Sequence, residues 1–428
     1  MSRLQIVAVA LTIGLNALDG FDVLSISFAS PGIAKEWGLQ QGALGIVMSM
    51  ELIGMMLGSI FLGGAADKFG RRPTTLGCLV LMTIGMFMVT TTKAIVTLSI
   101  WRVITGLGIG GMLAAINAIV AEYSNAKNRN MNVSIMAIGY PIGGVVGGMI
   151  AAMLLREHDW RAVFYFGAAV TAAFIPLVYF FVPESVHWLT QKQPTGALEQ
   201  INRTLTRMKH AVIAALPEVH VDERKRSVGD IFKPQFALVT TLVTIAYFFH
   251  VVTFYFIVKW TPKIAVDFMH LAPSTAGGVL VWVNVGGATG GAVLGILTRK
   301  YGVRGLTIAT MLLSTVAVTA FGNSPADLNS LQFFAAAAGF FTNAAIVGMY
   351  AIFAHAFPTH VRAFGTGFAI GIGRGGSVLA PIIAGFLFQA GGGLPTIAFF
   401  MSLGSLIAAM MIMKLRLEPD PSAPQAAK

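Results

Sequence analysis

Apolar residues run along this chain in stretches of about twenty with almost no polar interruption, and short polar segments separate them. Such a stretch is long enough to cross about 30 Å of hydrocarbon as a helix rising 1.5 Å per residue. The pattern predicts twelve spans, near 5–30, 42–65, 74–92, 95–121, 131–155, 161–182, 235–260, 274–297, 304–322, 328–356, 363–390 and 394–414. A transmembrane barrel would instead show alternating segments of about ten residues. The single long polar stretch, 186–233, divides the chain into two sets of six. The predicted organisation is a six-helix bundle over 1–185, a cytoplasmic linker over 186–233, a second bundle over 234–416 and a disordered tail over 417–428. Leu198, Ile201, Leu205 and Met208 recur in the linker at helical spacing, with basic residues between them. They predict a short amphipathic helix, either lying on the membrane face or serving as a plain solvated connector.

Composition agrees with an all-α membrane protein. Of 428 residues, 56% are hydrophobic and 11% charged, against about 25% charged in soluble domains. The net charge of +11 is not a nucleic-acid footprint, because its positions follow the spans. With the N-terminus in the cytoplasm, 21 of the 29 Lys and Arg fall in cytoplasmic segments and six, including Lys259 and Lys263, in external ones. The remaining two, Arg102 and Arg374, lie inside spans. This positive-inside bias predicts a multi-pass protein with both termini cytoplasmic. Cys78, alone in an apolar run, reads as a small core residue.

The two halves repeat. Gly63, Lys68, Phe69, Gly70 and Arg72 after span two match Gly295, Lys300, Tyr301, Gly302 and Arg304 after span eight, all 232 positions on. Glu122 and Arg129 match His355 and Arg362 in spacing, 233 positions on. Two six-helix units of the same orientation follow. The Gly63-x-x-x-Asp67-x-x-Gly70-Arg71-Arg72 loop reads as a conformational latch. Glu122 with Arg129 reads as a second, and His355 with Arg362 as a weaker counterpart.

A charge at bilayer depth is costly unless paired or hydrated, which makes each one a functional candidate. Asp19, Asp22, Glu51, Arg102 and Arg374 lie well inside spans, with His250 as a further titratable group. Asp22 is about 12 Å from the outer end of span one and Arg102 about 10 Å into span four, so acid and base share a layer. Asn16, Asp19 and Asp22 are three apart on one helix face. Two carboxylates beside one guanidinium make a plausible proton site, one forming an ion pair and the other titrating. In the alternative, Asp22 only neutralises Arg102 and Asp19 caps a turn at Gly20. Arg374 is near mid-membrane, where its fork suits a carboxylate. Tyr247, His250 and Phe254 follow helical spacing in an aromatic-rich span and form either a stacking wall or ordinary core. Asn117, Asn343 and Tyr350 offer hydrogen bonds to a ligand or to a neighbouring helix. No phosphate-binding loop and no cluster of metal-ligand type is present, which argues against an ATP-driven pump, an embedded enzyme or a metal cofactor.

The loop Gly63–Arg72, Arg102-x-x-x-Gly106-x-Gly108-x-Gly110 in span four and Pro183-Glu184-Ser185-Val186-His187-Trp188-Leu189 after span six resemble the signatures of the major facilitator superfamily. Asp19-Gly20-Phe21-Asp22 and Gly371-Ile372-Gly373-Arg374-Gly375-Gly376 resemble its aromatic acid:proton symporters. That resemblance implies a monomeric carrier in a bacterial inner membrane, importing a hydroxybenzoate-like carboxylate with protons by alternating access. It places spans one and four at the cavity, with Asp19, Asp22 and Arg102 coupling the proton, and Arg374, His250, Asn16, Asn117, Tyr247, Phe254, Asn343 and Tyr350 about the substrate. It also sets spans two and eleven side by side, where Glu51 offers Arg374 a gating pair. A carrier of another organic anion, a sugar acid or a drug, and a non-transporting receptor, are the rival readings.

Overall fold

The computed structural model describes residues 1–415 apart from 63, 126–127, 218–231, 299 and 358; for 130, 134, 234–235, 354 and 359–364 it describes the backbone alone. Gly63, part of the linker and the tail therefore lie outside the described residues, as does the Arg362 side chain. Among the described residues are fifteen α-helices: α1 (Arg3–Trp37), α2 (Gln41–Phe61), α3 (Ala65–Phe69), α4 (Arg71–Thr90), α5 (Ile95–Tyr123), α6 (Arg129–Glu157), α7 (Arg161–Phe181), α8 (Val186–Lys192), α9 (Ala197–Met208), α10 (Pro234–Met269), α11 (Pro273–Leu297), α12 (Val303–Gly322), α13 (Leu328–Ala356), α14 (Thr359–Gln389) and α15 (Leu394–Lys414). Twelve of them are long and apolar enough to cross a membrane, and they are the twelve spans expected. The largest differences in extent are at α1 and α10, which run several residues past the predicted outer ends. Lys259, at the end of the predicted span and counted there with the external segments, is inside α10 and fully buried.

Two compact units result, one of Met1–Glu223 with Pro262–Val281 and the other of Arg224–Thr261 with Trp282–Lys428. The end of α10 and the start of α11 belong to the first unit, where Gln41 donates to Asp267 at 2.6 Å. In this unit α1 is the central helix, and every residue from Leu18 to Pro31 is buried. Close approach to α6 needs glycine: a Cβ on Gly143 would meet the Ala17 carbonyl, and one on Gly20 the Tyr140 carbonyl. Small residues of this kind let membrane helices gain contact where no hydrophobic drive separates protein from lipid.

The repeat seen in the loops also governs the packing. Between α2 and α5, Gly54 lies against the Val103 carbonyl, Gly58 against that of Leu107 and Gly106 against that of Glu51. Between α11 and α13, Gly286 lies against Ala336, Gly290 against Phe340 and Gly339 against Val283. Every one of these contacts in the second unit is the first unit's shifted by 232 or 233 residues. At one glycine position the two seams differ. Gly110 touches the Met55 carbonyl directly, whereas its counterpart Asn343 donates to the carbonyl of Gly287 at 2.7 Å.

The linker differs from expectation in what covers it. A short helix, α8, precedes the amphipathic one. Ile201 and Ala197 of α9 bury against Leu189 of α8, with Trp188, Leu205, Ile213 and Leu216 around them. The apolar face of α9 is thus closed by the chain's own segments rather than left for a membrane surface.

Candidate functional site

Arg102 in α5 is the centre of a charged cluster in the first unit, and its side chain is wholly buried. The sequence pairs it with Asp22. The structure pairs its Nη2 with Glu51 Oε2 instead, both side chains being inaccessible. The same nitrogen donates to the backbone carbonyl of Asp22 at 3.1 Å. Nη1 meets Met86 Sδ at 3.3 Å, and the guanidinium lies 5.3 Å from the Phe164 ring centroid. Asp22 and Asp19 are 0% and 2% exposed. Neither carboxylate oxygen of Asp22 has a hydrogen-bond partner among the described residues. The Thr171 hydroxyl beside it donates to Gly167 of its own helix at 2.7 Å. Asp22, Glu51 and Arg102 thus share a buried volume inside one unit, with Asp19 one turn earlier on α1 and also buried. Glu51, read as a gating partner of Arg374, is engaged here with Arg102. Asn16 extends the α1 face as expected, but its amide is spent on the Met136 carbonyl at 2.7 Å.

A signal for the Glu51–Arg102 pairing was present in the sequence. Glu51, Gly54 and Gly58 are spaced i, i+3, i+7, and Arg102, Gly106 and Gly110 are spaced i, i+4, i+8. Each charge therefore sits on the glycine face of its helix, and glycine faces of this spacing are where membrane helices meet.

In the second unit, His250 of α10 is fully buried and both ring nitrogens are used. Nε2 is 2.9 Å from the Thr342 carbonyl on α13, and Nδ1 is 2.9 Å from Ser405 Oγ on α15. A carbonyl only accepts, so Nε2 carries the proton and Nδ1 accepts from Ser405. Ser405 also meets Ser314 Oγ of α12 at 3.0 Å. His250 therefore ties four helices together, and this geometry leaves no ring nitrogen for a ligand. His250→Leu is expected to remove two buried cross-helix hydrogen bonds, at about 0.5–1.5 kcal/mol each, and to lower the melting midpoint in detergent. An unchanged midpoint would restore His250 to the substrate set.

Tyr247, from the same helix, contacts Tyr350 through paired hydroxyls at 3.2 Å and packs against Phe353 at 5.4 Å between centroids. Its ring lies against Gly373 of α14, where a Cβ would collide with it. Arg374 follows at once and is half-buried. Phe254 is buried, and Tyr350 is 47% exposed. Asn343 is committed to the α11–α13 seam described above. Asn117, in the first unit, faces outward and bonds its own helix at Leu113. Of the predicted substrate residues, the structure thus groups Tyr247, Tyr350 and the Gly373–Arg374 turn of α14, and it commits His250, Asn16 and Asn343 to helix packing. Lys259, buried on α10, is the charged residue the sequence reading had set outside the membrane.

The loop latch of the first unit is assembled differently from the expected pairs. Arg71 binds Asp67 at 2.7 Å and Glu122 at 3.4 Å. Glu122 is therefore held by Arg71, and Arg129 forms no ion pair among the described residues. Arg72 reaches the Tyr179 carbonyl at the end of α7, as its repeat partner Arg304 reaches Met413 at the end of α15. Glu184, unremarked in the sequence as a functional group, caps α4: its carboxylate accepts from the Arg71 and Ser185 backbone N–H groups, both at 2.8 Å. Gly70 has φ 108°, and a Cβ there would strike that carboxylate, so two constraints demand glycine. Trp188 donates to the Asp67 carbonyl at 2.9 Å and closes the loop onto α8. A cavity of about 750 Å³ opens beside it, lined by Gln5, Arg71, Glu122, Arg129, His187 and His210 among others. In the second unit, His355 bonds its own helix at Ala351 among the described residues.

Comparison with known proteins bears on the whole chain. The gallate transporter of Pseudomonas putida is 28% identical over 95% of this chain and 92% of its own length. The benzoate transport protein of Acinetobacter baylyi is 26% identical over 95% and 90%. The 4-hydroxybenzoate transporter PcaK of A. baylyi is 27% identical over 90% and 86%. Among solved structures, the xylose transporter XylE of E. coli in an inward open conformation matches with a TM-score of 0.73 at 20% identity, covering 98% of this chain and 97% of that one. At that identity the likeness speaks for the fold alone. The relatives are transporters, and so is this chain; it is not an enzyme. The family model for the Major Facilitator Superfamily matches residues 12–283 and 243–428, taking in both glycine-seamed repeats, and the chain belongs to that superfamily.

Proposed function

We propose that this protein imports an aromatic carboxylate together with protons, by alternating access, across a bacterial inner membrane. The observation that supports the cargo is that the similar transporters are named for gallate, benzoate, 4-hydroxybenzoate and 3-(3-hydroxy-phenyl)propionate, all aromatic acids. The buried cluster supports the coupling. Arg102 balances Glu51, and leaving Asp22 ionised beside that pair in a low-dielectric interior is costly. Asp19 and Asp22 are accordingly the proton carriers in this reading, with Arg102 setting their balance. Arg374 holds the cargo's carboxylate through its planar fork, and Tyr247 and Tyr350 stack on the ring. The positive-inside distribution puts both termini in the cytoplasm, and the working form is a monomer surrounded by lipid. The proton is the coupling ion, and the scheme uses no other cofactor.

The test is uptake of radiolabelled 4-hydroxybenzoate into proteoliposomes, with an inward proton gradient present or absent. Wild-type protein should accumulate the acid only with the gradient. Asp22→Asn should keep exchange and lose accumulation. Folded wild-type protein that takes up neither 4-hydroxybenzoate, benzoate nor gallate would refute the cargo.

A further inference from the structure

We infer that Glu51 is the resting counter-charge of Arg102, and that the guanidinium passes between Glu51 and Asp22 as Asp22 releases and regains its proton. The inference rests on the proton-coupled reading above and adds a residue to it.

The geometry is that of a side chain already shared between two helices. Arg102 Nη2 contacts both Glu51 Oε2 of α2 and the Asp22 carbonyl of α1. Its Nε has no hydrogen-bond partner among the described residues, and Nη1 has only a thioether, which is a weak acceptor. The Asp22 carboxylate oxygens, on the adjoining turn, are buried and likewise without a partner among the described residues. Spare donors and spare acceptors therefore stand on side chains that already interact electrostatically. The charged groups facing Asp22 are Glu51 and Arg102. With Asp22 protonated, the Glu51–Arg102 pair is neutral. When the Asp22 O–H bond breaks and the proton leaves for water, the electron pair stays on the carboxylate. Arg102 then turns its free edge to Asp22, and it returns to Glu51 when a proton rebinds.

The repeat separates this role from packing. The positions equivalent to Glu51 and Arg102 in the second unit are Val283 and Ala335, both buried in the seam that repeats the Gly54, Gly58 and Gly106 contacts of α2–α5. The same helix pair thus closes without any charge. A buried ion pair that the fold can do without is retained for another purpose, and the nearby carboxylate of Asp22 supplies one.

The experiment uses the full chain, with Glu51→Gln, Glu51→Asp, Asp22→Asn, Glu51→Gln/Asp22→Asn, Arg102→Ala and the repeat-derived pair Glu51→Val/Arg102→Ala. In proteoliposomes with 4-hydroxybenzoate, Glu51→Gln should lower gradient-driven accumulation roughly tenfold or more, within the usual range of site coupling. Exchange should persist, and Glu51→Asp should recover accumulation. In detergent, each neutralised carboxylate leaves Arg102 an alternative partner. The double neutralisation should therefore lower the melting midpoint by more than the two single shifts combined. Glu51→Val/Arg102→Ala should melt above Arg102→Ala, in which Glu51 has lost its counter-charge. Full accumulation by Glu51→Gln, additive melting shifts, or a Glu51→Val/Arg102→Ala protein that melts no higher than Arg102→Ala would each overturn the inference. Wild-type protein that accumulates no aromatic acid would refute the proposed cargo, while the melting series would still decide the role of Glu51.

Discussion

Gly106→Val is expected to leave no monodisperse protein on size exclusion in detergent, although the substitution is to an apolar residue in an apolar span. The Cβ alone would fall on the Glu51 carbonyl oxygen, far inside van der Waals contact. No rotamer change relieves that clash, because the obstacle is main chain, so α2 and α5 must part. Overpacking a well-filled interior costs about 1–3 kcal/mol even where side chains can yield. Here the displaced contact is the seam that also holds Gly54 against Val103 and Gly110 against Met55. Gly339→Val should do the same to the second unit, since its Cβ meets the Val283 carbonyl. Gly371→Ala is the control: nothing lies within 4 Å of its Cβ, and alanine's helix propensity favours it by up to about 1 kcal/mol. If Gly106→Val and Gly371→Ala express and elute alike, the seam is not what holds the first unit together.

The spans were legible because hydropathy reports depth, and depth is what a length of apolar helix measures. The same arithmetic placed Asp22 and Arg102 in one layer, and they do adjoin. Depth carries no azimuth, however, so it did not say which neighbour the Arg102 fork would face. That information was in the spacing of small residues, Gly54 with Gly58 and Gly106 with Gly110, which picks out the faces that meet. It passes unnoticed while those glycines are read only as freedom to bend. His250 misled for a related reason. Its spacing with Tyr247 and Phe254 is real, but a face of α10 that looks available in sequence is closed by α13 and α15 through Thr342 and Ser405. Polar residues in a bundle are claimed first by helix packing. The loops were read correctly as a repeat and less well as pairs. Glu122 and Arg129 are seven apart on either side of a turn, and the guanidinium that reaches Glu122 comes instead from Arg71. The helix-capping carboxylate of Glu184 comes from over a hundred residues away, beyond what any local pattern shows.

Arg102→Ala should destabilise the protein more than any other single charge removal, by about 3–5 kcal/mol, the loss typical when one member of a buried pair is removed. Three contributions act together. Glu51 is left buried opposite a gap, with its carboxylate desolvated and its former donor gone. The Asp22 carbonyl loses the 3.1 Å donor that it received in addition to helix bonding. The space vacated by the guanidinium, over Phe164 and against Met86, is lined by groups that cannot refill it. Arg102→Lys should recover part of the loss, because the charge is kept, but not the whole. An ammonium on a single stem is a point charge and does not reproduce a planar fork that spans two helices. The melting midpoints should therefore fall in the order wild type, Arg102→Lys, Arg102→Ala. Adding Glu51→Val to the alanine variant should raise the last of these, since it removes the stranded charge and restores the apolar pair that the second unit uses at Val283 and Ala335. Were Arg102→Ala to melt with the wild type, the buried guanidinium would be contributing nothing to the folded state. Charge balance about Asp22 would then have to come from outside the cluster.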